Sequence, residues 1–100
     1  MKVSDLLSDT SKWIKHDYAR NVFGDTVDSQ DSTAAKWCLS GAIRACNPSN
    51  FSEVVRIEKW LAGALYNLGL LKLGGNIEMW NDEEGRKFSD IVMVLKLFDM

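Results

Sequence analysis

The stretch Asn50–Leu68, NFSEVVRIEKWLAGALYNL, contains the clearest helical pattern in the chain. Asn50 is a favourable N-cap residue, and Glu53 three residues later gives the pattern of a capping box. Apolar side chains then recur at helical spacing in one continuous stripe, with Trp60 on its flank; the stripe consists of Val54, Ile57, Leu61, Ala64, Leu65 and Leu68. We therefore predict a core helix of roughly 18 residues in this stretch.

The segment before this helix contains the first of two tryptophan-centred motifs, AAKWCLSGAI at residues 34–43. We predict a helix from about Thr33 to Cys46, capped by Asp31 or Ser32 and ended by the residues around Pro48. Its apolar face would consist of Ala35, Cys38, Leu39, Ala42, Ile43 and Cys46. A glycine in the middle of a helix costs roughly 1 kcal/mol relative to alanine. We therefore expect a neighbouring helix or an aromatic ring to pass close to the backbone at Gly41.

The two ends of the chain also have helical spacing. Apolar residues between Val3 and about Arg20 predict one helix and a second short helix, capped by Thr10 or Ser11. Ser89 is the predicted N-cap of a last helix, with Phe88 and Met93 as a hydrophobic staple. Residues 70–79 could extend the central helix or form a short extended segment, and residues 81–85 are predicted to be a turn. The expected fold is a single all-α domain, residues 1–100, with four or five helices in a compact bundle.

Composition restricts the classes of function. Aliphatic and aromatic residues make up 46% of the chain and there is one proline, which indicates a folded protein. No run approaches the ~20 apolar residues of a membrane span, and Met1–Asp5 does not have the apolar character of a secretory signal, so we expect a cytoplasmic protein. The formal net charge is -2, with no dense Lys/Arg cluster, so we expect no direct contact with nucleic acid or membrane.

Residues for catalysis and metal binding are few. The chain has one histidine, His16, for which we predict an exposed position, and no metal-ligand spacing or phosphate-binding glycine loop. Cys38 and Cys46 would lie about 12 Å apart in one helix, too far for a disulfide. We expect buried thiols there, with a reactive thiol at Cys38 as the alternative. These patterns favour a protein that is not an enzyme and that uses no cofactor or metal.

The second tryptophan-centred motif is IEMWNDEEGR at residues 77–86, and two interpretations of it are open. In one, Trp80 lies in the core and Asn81 or Asp82 bonds to local backbone N–H groups in a turn. In the other, Asn81, Asp82 and Arg86 form a polar recognition edge beside an anchoring aromatic residue, a composition favoured at binding hot spots.

The two tryptophan-centred motifs, taken together, are similar to those of a known protein family. Trp37-Cys38-x-x-Gly41-Ala42 and Trp80-Asn81-Asp82-x-x-Gly85-Arg86, in this order, resemble a family of small uncharacterised helical proteins of bacteria and bacteriophages. The resemblance covers nearly the whole chain, although the glycine-spaced leucines of residues 66–76 depart from the usual pattern. It implies a helical fold and an origin in a phage or mobile element, and it carries over no catalytic residue.

The sequence and the resemblance together suggest a phage-type protein that binds a host protein and blocks it, for example a CRISPR or other nucleoprotein defence complex. Surface aromatic residues would anchor the contact, and acidic loops would face a basic groove. The candidate partner-binding residues are Trp13, Tyr18, Phe23, Asp25, Asp28, Asp31, Asn81, Asp82, Glu83, Glu84 and Arg86. Two alternatives remain: a small-ligand or enzyme pocket near Trp37, Cys38 and Trp80, and a domain that self-associates through helix 52–68.

Overall fold

The fold is mainly helical, and a computed structural model describes all residues 1–100. In chain order the elements are α1 (Val3–Leu6), a 3-10 turn (Thr10–Lys12), β1 (Ala19–Arg20), β2 (Lys36–Trp37), α2 (Leu39–Cys46), α3 (Phe51–Asn67), α4 (Ile77–Asp82) and α5 (Phe88–Leu97). The two strands pair antiparallel, with Ala19 opposite Trp37 and Arg20 opposite Lys36. The five helices agree with the prediction, whereas the small sheet shows that the fold is not purely all-α.

Helix α3 lies where the sequence predicts it. Asn50 is its N-cap, and the Asn50 side chain accepts a hydrogen bond from the backbone N–H of Glu53. In a capping box the Glu53 carboxylate would also accept from the Asn50 N–H. Here that carboxylate pairs with Arg56 instead. Val54, Leu61 and Leu65 face the core and are buried.

Helix α2 begins later than predicted. Residues 36–37 form β2 instead of a first helical turn, because their backbone groups pair with β1. Cys38 is the N-cap, and its sulfur accepts a hydrogen bond from the Gly41 N–H at 3.2 Å. The predicted cap, Asp31, closes a separate turn by accepting from the Thr33 N–H at 2.8 Å.

The backbone of Gly41 has a close neighbour, as expected, but it is neither a helix nor a ring. A Cβ atom at Gly41 would overlap the carbonyl oxygen of Tyr18 and would lie 2.7 Å from its carbonyl carbon. The same carbonyl accepts a hydrogen bond from the Cys38 N–H at 3.3 Å. The extended chain that leads into β1 therefore lies directly against the first turn of α2.

The predictions for both chain ends need correction. The first helix stops at Leu6 and the second is a single 3-10 turn capped by Asp9, after which Trp13 and Ile14 are extended because they run beside β2. Helix α5 begins at Phe88, and its N-cap is Lys87, two residues before the predicted Ser89. The Asp90 carboxylate accepts from the Lys87 N–H at 2.9 Å and so fixes the start of the helix there. The predicted staple is therefore not formed.

Residues 68–82 also differ from the prediction. Residues 68–76 are turns and irregular chain, with neither a helical extension nor a strand, and Gly69 adopts a left-handed φ of 74° just after α3. Asn76 then caps α4 by accepting from the Met79 N–H at 2.8 Å. Trp80, Asn81 and Asp82 consequently lie in a helix, and the turn follows them.

A cluster of 13 buried apolar residues forms the core. Its members come from α1 to α5 and the residue after α1: Val3, Leu7, Leu39, Ala42, Ile43, Val54, Leu61, Leu65, Ile77, Trp80, Ile91, Val94 and Leu95. None of the helices combines the length and apolar character that crossing a bilayer requires.

Candidate functional site

The Asn81 side chain connects three distant parts of the chain and is fully buried. Its Oδ1 accepts hydrogen bonds from Trp13 Nε1 at 2.7 Å and from the Leu39 N–H at 3.0 Å. Its Nδ2 donates to the Ile14 carbonyl at 3.1 Å and to Asp82 Oδ1 at 2.9 Å. These contacts, here called the Asn81 network, occupy both ends of the amide. Asn81 therefore supports the fold from inside and presents no polar edge to solvent.

Asp82 extends this network toward the surface. Its Oδ1 also accepts from the His16 N–H at 2.9 Å, and its Oδ2 lies 3.8 Å from His16 Nδ1. His16 has a left-handed φ of 74°, a conformation that costs energy in a residue with a side chain. The bond to Asp82 holds that conformation. The His16 side chain is exposed, as predicted.

Arg86 is also engaged within the fold. Its Nε donates to the Trp80 carbonyl at 2.8 Å, which satisfies a carbonyl at the end of α4. Its guanidinium lies over the Trp80 ring at 4.1 Å from the centroid and pairs with Glu83 at 2.7 Å. The W-N-D-x-x-G-R motif thus joins the core tryptophan to the turn that follows, and its structural interpretation is the better supported. The bonds differ from the predicted local ones, since those of Asn81 reach across the fold.

The three predicted aromatic anchors have different environments. Trp13 is half-buried, and its indole N–H is committed to the Asn81 network. The Tyr18 ring is exposed but lies 4.2 Å from the Arg44 guanidinium, which covers it. Phe23 is 85% exposed, and its neighbour Val22 is also exposed. Of these three anchors, Phe23 has the most exposed ring.

Phe23 lies at the tip of a turn that the sequence holds in place. Asn21 Oδ1 accepts from the N–H groups of Phe23 and Asp25 at 2.9 and 3.1 Å, and the Gly24 N–H donates to the Asn21 carbonyl. Gly24 has a φ of 86°, which a residue without a side chain adopts at little cost. The hydrogen bonds of Asn21 therefore hold the backbone that carries the exposed ring.

The acidic loop, residues 25–31, continues from this turn and is tied to the fold. The Val27 N–H donates to the Ala19 carbonyl at 3.1 Å, and Trp37 Nε1 donates to the carbonyl of buried Ser29 at 3.0 Å. Its three predicted carboxylates, Asp25, Asp28 and Asp31, are all exposed. Hydrogen bonds from Thr33 lower the pKa of Asp31, which keeps that carboxylate charged. The second predicted acidic group differs, because Asp82 is half-buried whereas Glu83 and Glu84 are exposed.

A polar cleft of about 390 Å³ separates the acidic loop from α4. Of the residues of the predicted pocket, Cys38 lines this cleft but Trp37 and Trp80 do not; Asp82 lines it as well. Cys38 is 3% exposed, and burial raises the pKa of its thiol to about 11. The thiol is therefore protonated at neutral pH, a state that is weakly nucleophilic.

Two charged residues that the sequence did not single out, Arg44 and Glu78, line the cleft, and Glu58 lies behind Arg44. Arg44 contacts Tyr18, and its Nε lies 3.9 Å from Glu58, which also accepts from Ser40 Oγ at 3.0 Å. Burial raises the pKa of Glu58. Glu78 accepts from the Tyr18 hydroxyl at 3.3 Å. The charged residues Arg44, Glu58 and Glu78 lie on three different helices, α2, α3 and α4, so only the packing of these helices brings them together.

The comparisons with known proteins show a family but no activity. The chain belongs to the family of unknown function DUF6197, which matches residues 1–97. Neither a curated protein nor a solved structure matches it significantly. Membership agrees with the resemblance to proteins of unknown function, while the origin in bacteria or bacteriophages remains a prediction.

Proposed function

We propose that this member of DUF6197 is a non-enzymatic binding protein that covers a basic surface of another protein. The observation that carries the proposal is the 85% exposure of Phe23 on a turn fixed by Asn21. An exposed aromatic ring with a prearranged backbone loses little conformational freedom on binding, which is a property of binding hot spots.

The charges next to this ring support a basic partner. Asp25, Asp28 and Asp31 follow Phe23 within eight residues, and none of the three forms an ion pair with a basic side chain of the chain. Opposite charge on a partner would steer association and fix the orientation of the complex. A surface of that kind is typical of grooves that bind nucleic acid, so the bound protein would exclude the nucleic acid from it.

A nucleoprotein complex of antiviral defence, such as a CRISPR effector, is one partner of this kind. The resemblance to bacteriophage proteins suggests it, and the fold and charge pattern are compatible with occlusion as the mechanism. The engaged positions of Cys38, Asn81 and Arg86 weigh against a catalytic alternative in the same region.

Affinity capture with a matched control tests the proposal. Tagged wild-type protein, Phe23→Ser and Leu73→Ser would each be incubated with bacterial lysate, since Leu73 is 81% exposed and lies outside the proposed surface. Wild type and Leu73→Ser should recover the same partner at about one-to-one stoichiometry, and Phe23→Ser should lose it. The recovered partner should release its nucleic acid when wild-type protein is added. Equal capture by all three proteins, or no stoichiometric capture, would contradict the proposal.

A second comparison decides which acidic group takes part. Asp25→Asn with Asp28→Asn should slow association and reduce its dependence on salt, because these charges lie next to Phe23. Glu84→Gln, at an exposed carboxylate of the other predicted loop, should leave both quantities unchanged. The reverse pattern would move the contact surface to residues 82–84.

A further inference from the structure

Exposed apolar side chains are concentrated in the chain between α3 and α4. Leu68, Leu70 and Leu73 are all exposed, and so are Tyr66 near the end of α3 and Met79 in α4. Leu70 and Met79 line the same open groove, so the connecting chain and α4 expose apolar atoms side by side. Apolar residues that cluster in this way mark an interaction surface, whereas singly exposed leucines are ordinary. Residues 68–73 are here called the leucine loop.

Two turns hold the backbone of the leucine loop. At the end of α3 the Leu70 N–H donates to the Leu65 carbonyl at 2.9 Å, as in a Schellman cap. The Gly75 N–H then donates to the Lys72 carbonyl at 3.0 Å and closes a turn with Leu73 at its corner. The Leu73 side chain is 81% exposed at this corner. A loop whose backbone is already ordered loses little conformational freedom when its side chains bind.

The charges around the leucine loop are positive. Residues 59–77 contain two lysines and no acidic residue. Lys72 is exposed within the loop, and its ammonium has no carboxylate within 4.0 Å. Glu83, the one carboxylate that lines the groove beside the loop, is paired with Arg86 at 2.7 Å. The loop therefore differs from the acidic loop that follows Phe23, because its free charge attracts an anionic surface.

The side chains of the leucine loop match a lipid surface better than a protein surface. Leucine is under-represented among the residues that dominate protein–protein binding, where Trp, Tyr and Arg prevail. Proteins that lie on a bilayer instead bury aliphatic side chains at the acyl boundary and keep tyrosine and lysine at the level of the headgroups. Tyr66 and Lys72 stand on either side of Leu68 and Leu70 in the chain, which is the order that such a contact requires.

We propose that the leucine loop binds the surface of a bilayer that contains anionic lipid, with Leu70 and Leu73 inserted and Lys72 at the headgroups. The contact is peripheral, since none of the helices is long and apolar enough to span a bilayer. The sequence led to the opposite expectation because it contains no dense basic cluster and does not reveal which leucines are exposed. The leucine loop shares no residue with the Phe23 surface, so this proposal is independent of the proposed function.

Flotation with lipid vesicles tests the proposal. Wild-type protein should float with phosphatidylcholine vesicles that contain phosphatidylglycerol, and should bind vesicles of phosphatidylcholine alone about fivefold more weakly. Leu73→Ser should weaken binding to both by about tenfold or more, because one leucine side chain no longer leaves water. Leu97→Ser, at an exposed leucine of α5 outside the loop, is the matched control and should bind like wild type.

Lys72→Gln tests the charge separately. It should remove the preference for phosphatidylglycerol and leave binding to phosphatidylcholine unchanged. Failure of the wild type to float with either vesicle, or equal binding by Leu73→Ser, would overturn the proposal. Equal binding of the wild type to both compositions would overturn the assignment of an anionic surface. A wild-type dimer in sedimentation that Leu73→Ser dissociates, without flotation, would assign the loop to self-association instead.

Discussion

Replacement of Gly41 by alanine should strongly destabilise the protein, although alanine is the better helix former. The added methyl group would overlap the Tyr18 carbonyl oxygen and lie 2.7 Å from its carbonyl carbon. Both are backbone atoms, so no change of side-chain rotamer removes the overlap. The chain before β1 and the first turn of α2 would have to separate by about 1.5 Å to reach normal contact distance.

The expected magnitude follows from three contributions. Overpacking that forces the backbone to shift costs typically 1–3 kcal/mol. Separation also breaks the bond between the Cys38 N–H and the Tyr18 carbonyl, a loss of about 1 kcal/mol. The higher helix propensity of alanine returns roughly 1 kcal/mol. The net loss in the free energy of unfolding is about 1–3 kcal/mol, which lowers Tm by about 4–24 °C in a domain of this size.

Gly63→Ala is the matched control, because Gly63 lies in α3 and a Cβ there would meet nothing within 4 Å. The same chemical change should raise the free energy of unfolding by about 0.5–1 kcal/mol. Urea unfolding followed by tryptophan fluorescence measures both variants against wild type. A Gly41→Ala protein as stable as wild type, or a loss equal in both variants, would refute the argument from close backbone approach.

Three further variants test other parts of the structure. Asn81→Ala removes the acceptor of Trp13 Nε1 and of the Leu39 N–H, so urea unfolding should show a loss of about 3–5 kcal/mol; a loss below 1 kcal/mol would contradict the Asn81 network. The folded-state pKa of Cys38 is raised from 9.0 to about 11, so its contribution to stability is complete below pH 9 and is lost as pH rises toward 11. Between pH 9 and 11, wild type should therefore lose about 2–3 kcal/mol more than Cys38→Ala in the same unfolding assay, and parallel curves would disprove it. Phe23→Ser should change Tm by less than about 3 °C, because the ring is 85% exposed; a larger fall would mean that Phe23 has a structural role.

Helix α3 could be predicted from the sequence because its information is local. The cap at Asn50 and the stripe through Val54, Leu61 and Leu65 lie within one stretch of chain, and the structure places them as expected. The start of α2 could not be predicted in the same way. Ala34 and Ala35 are compatible with a helix, and only the pairing of Lys36–Trp37 with β1 excludes it.

The candidate site shows the same division between local and distant information. Asn81 and Asp82 at the end of α4 are residue types favoured in turns, and the partners that Asn81 bonds across the fold lie 42 to 68 residues away in sequence. The packing role of Gly41 was predicted from its cost in a helix, but its neighbour, the Tyr18 carbonyl, was not. The exposure of Phe23 and the partial burial of Trp13 are likewise properties of the assembled fold, since the sequence suggested both residues as exposed anchors.

The Asn81 network has a consequence for the order in which the protein folds. Its bonds close loops between Trp13, Leu39 and Asn81, so none of them can form while a growing chain still holds residue 81 in the ribosome. Closing loops of this length costs conformational entropy before the contacts contribute any stability, so the network forms late on the folding pathway. Until then Trp13 and the strand beside it are exposed, and a nascent chain that pauses before residue 81 would be a substrate for chaperones and proteases.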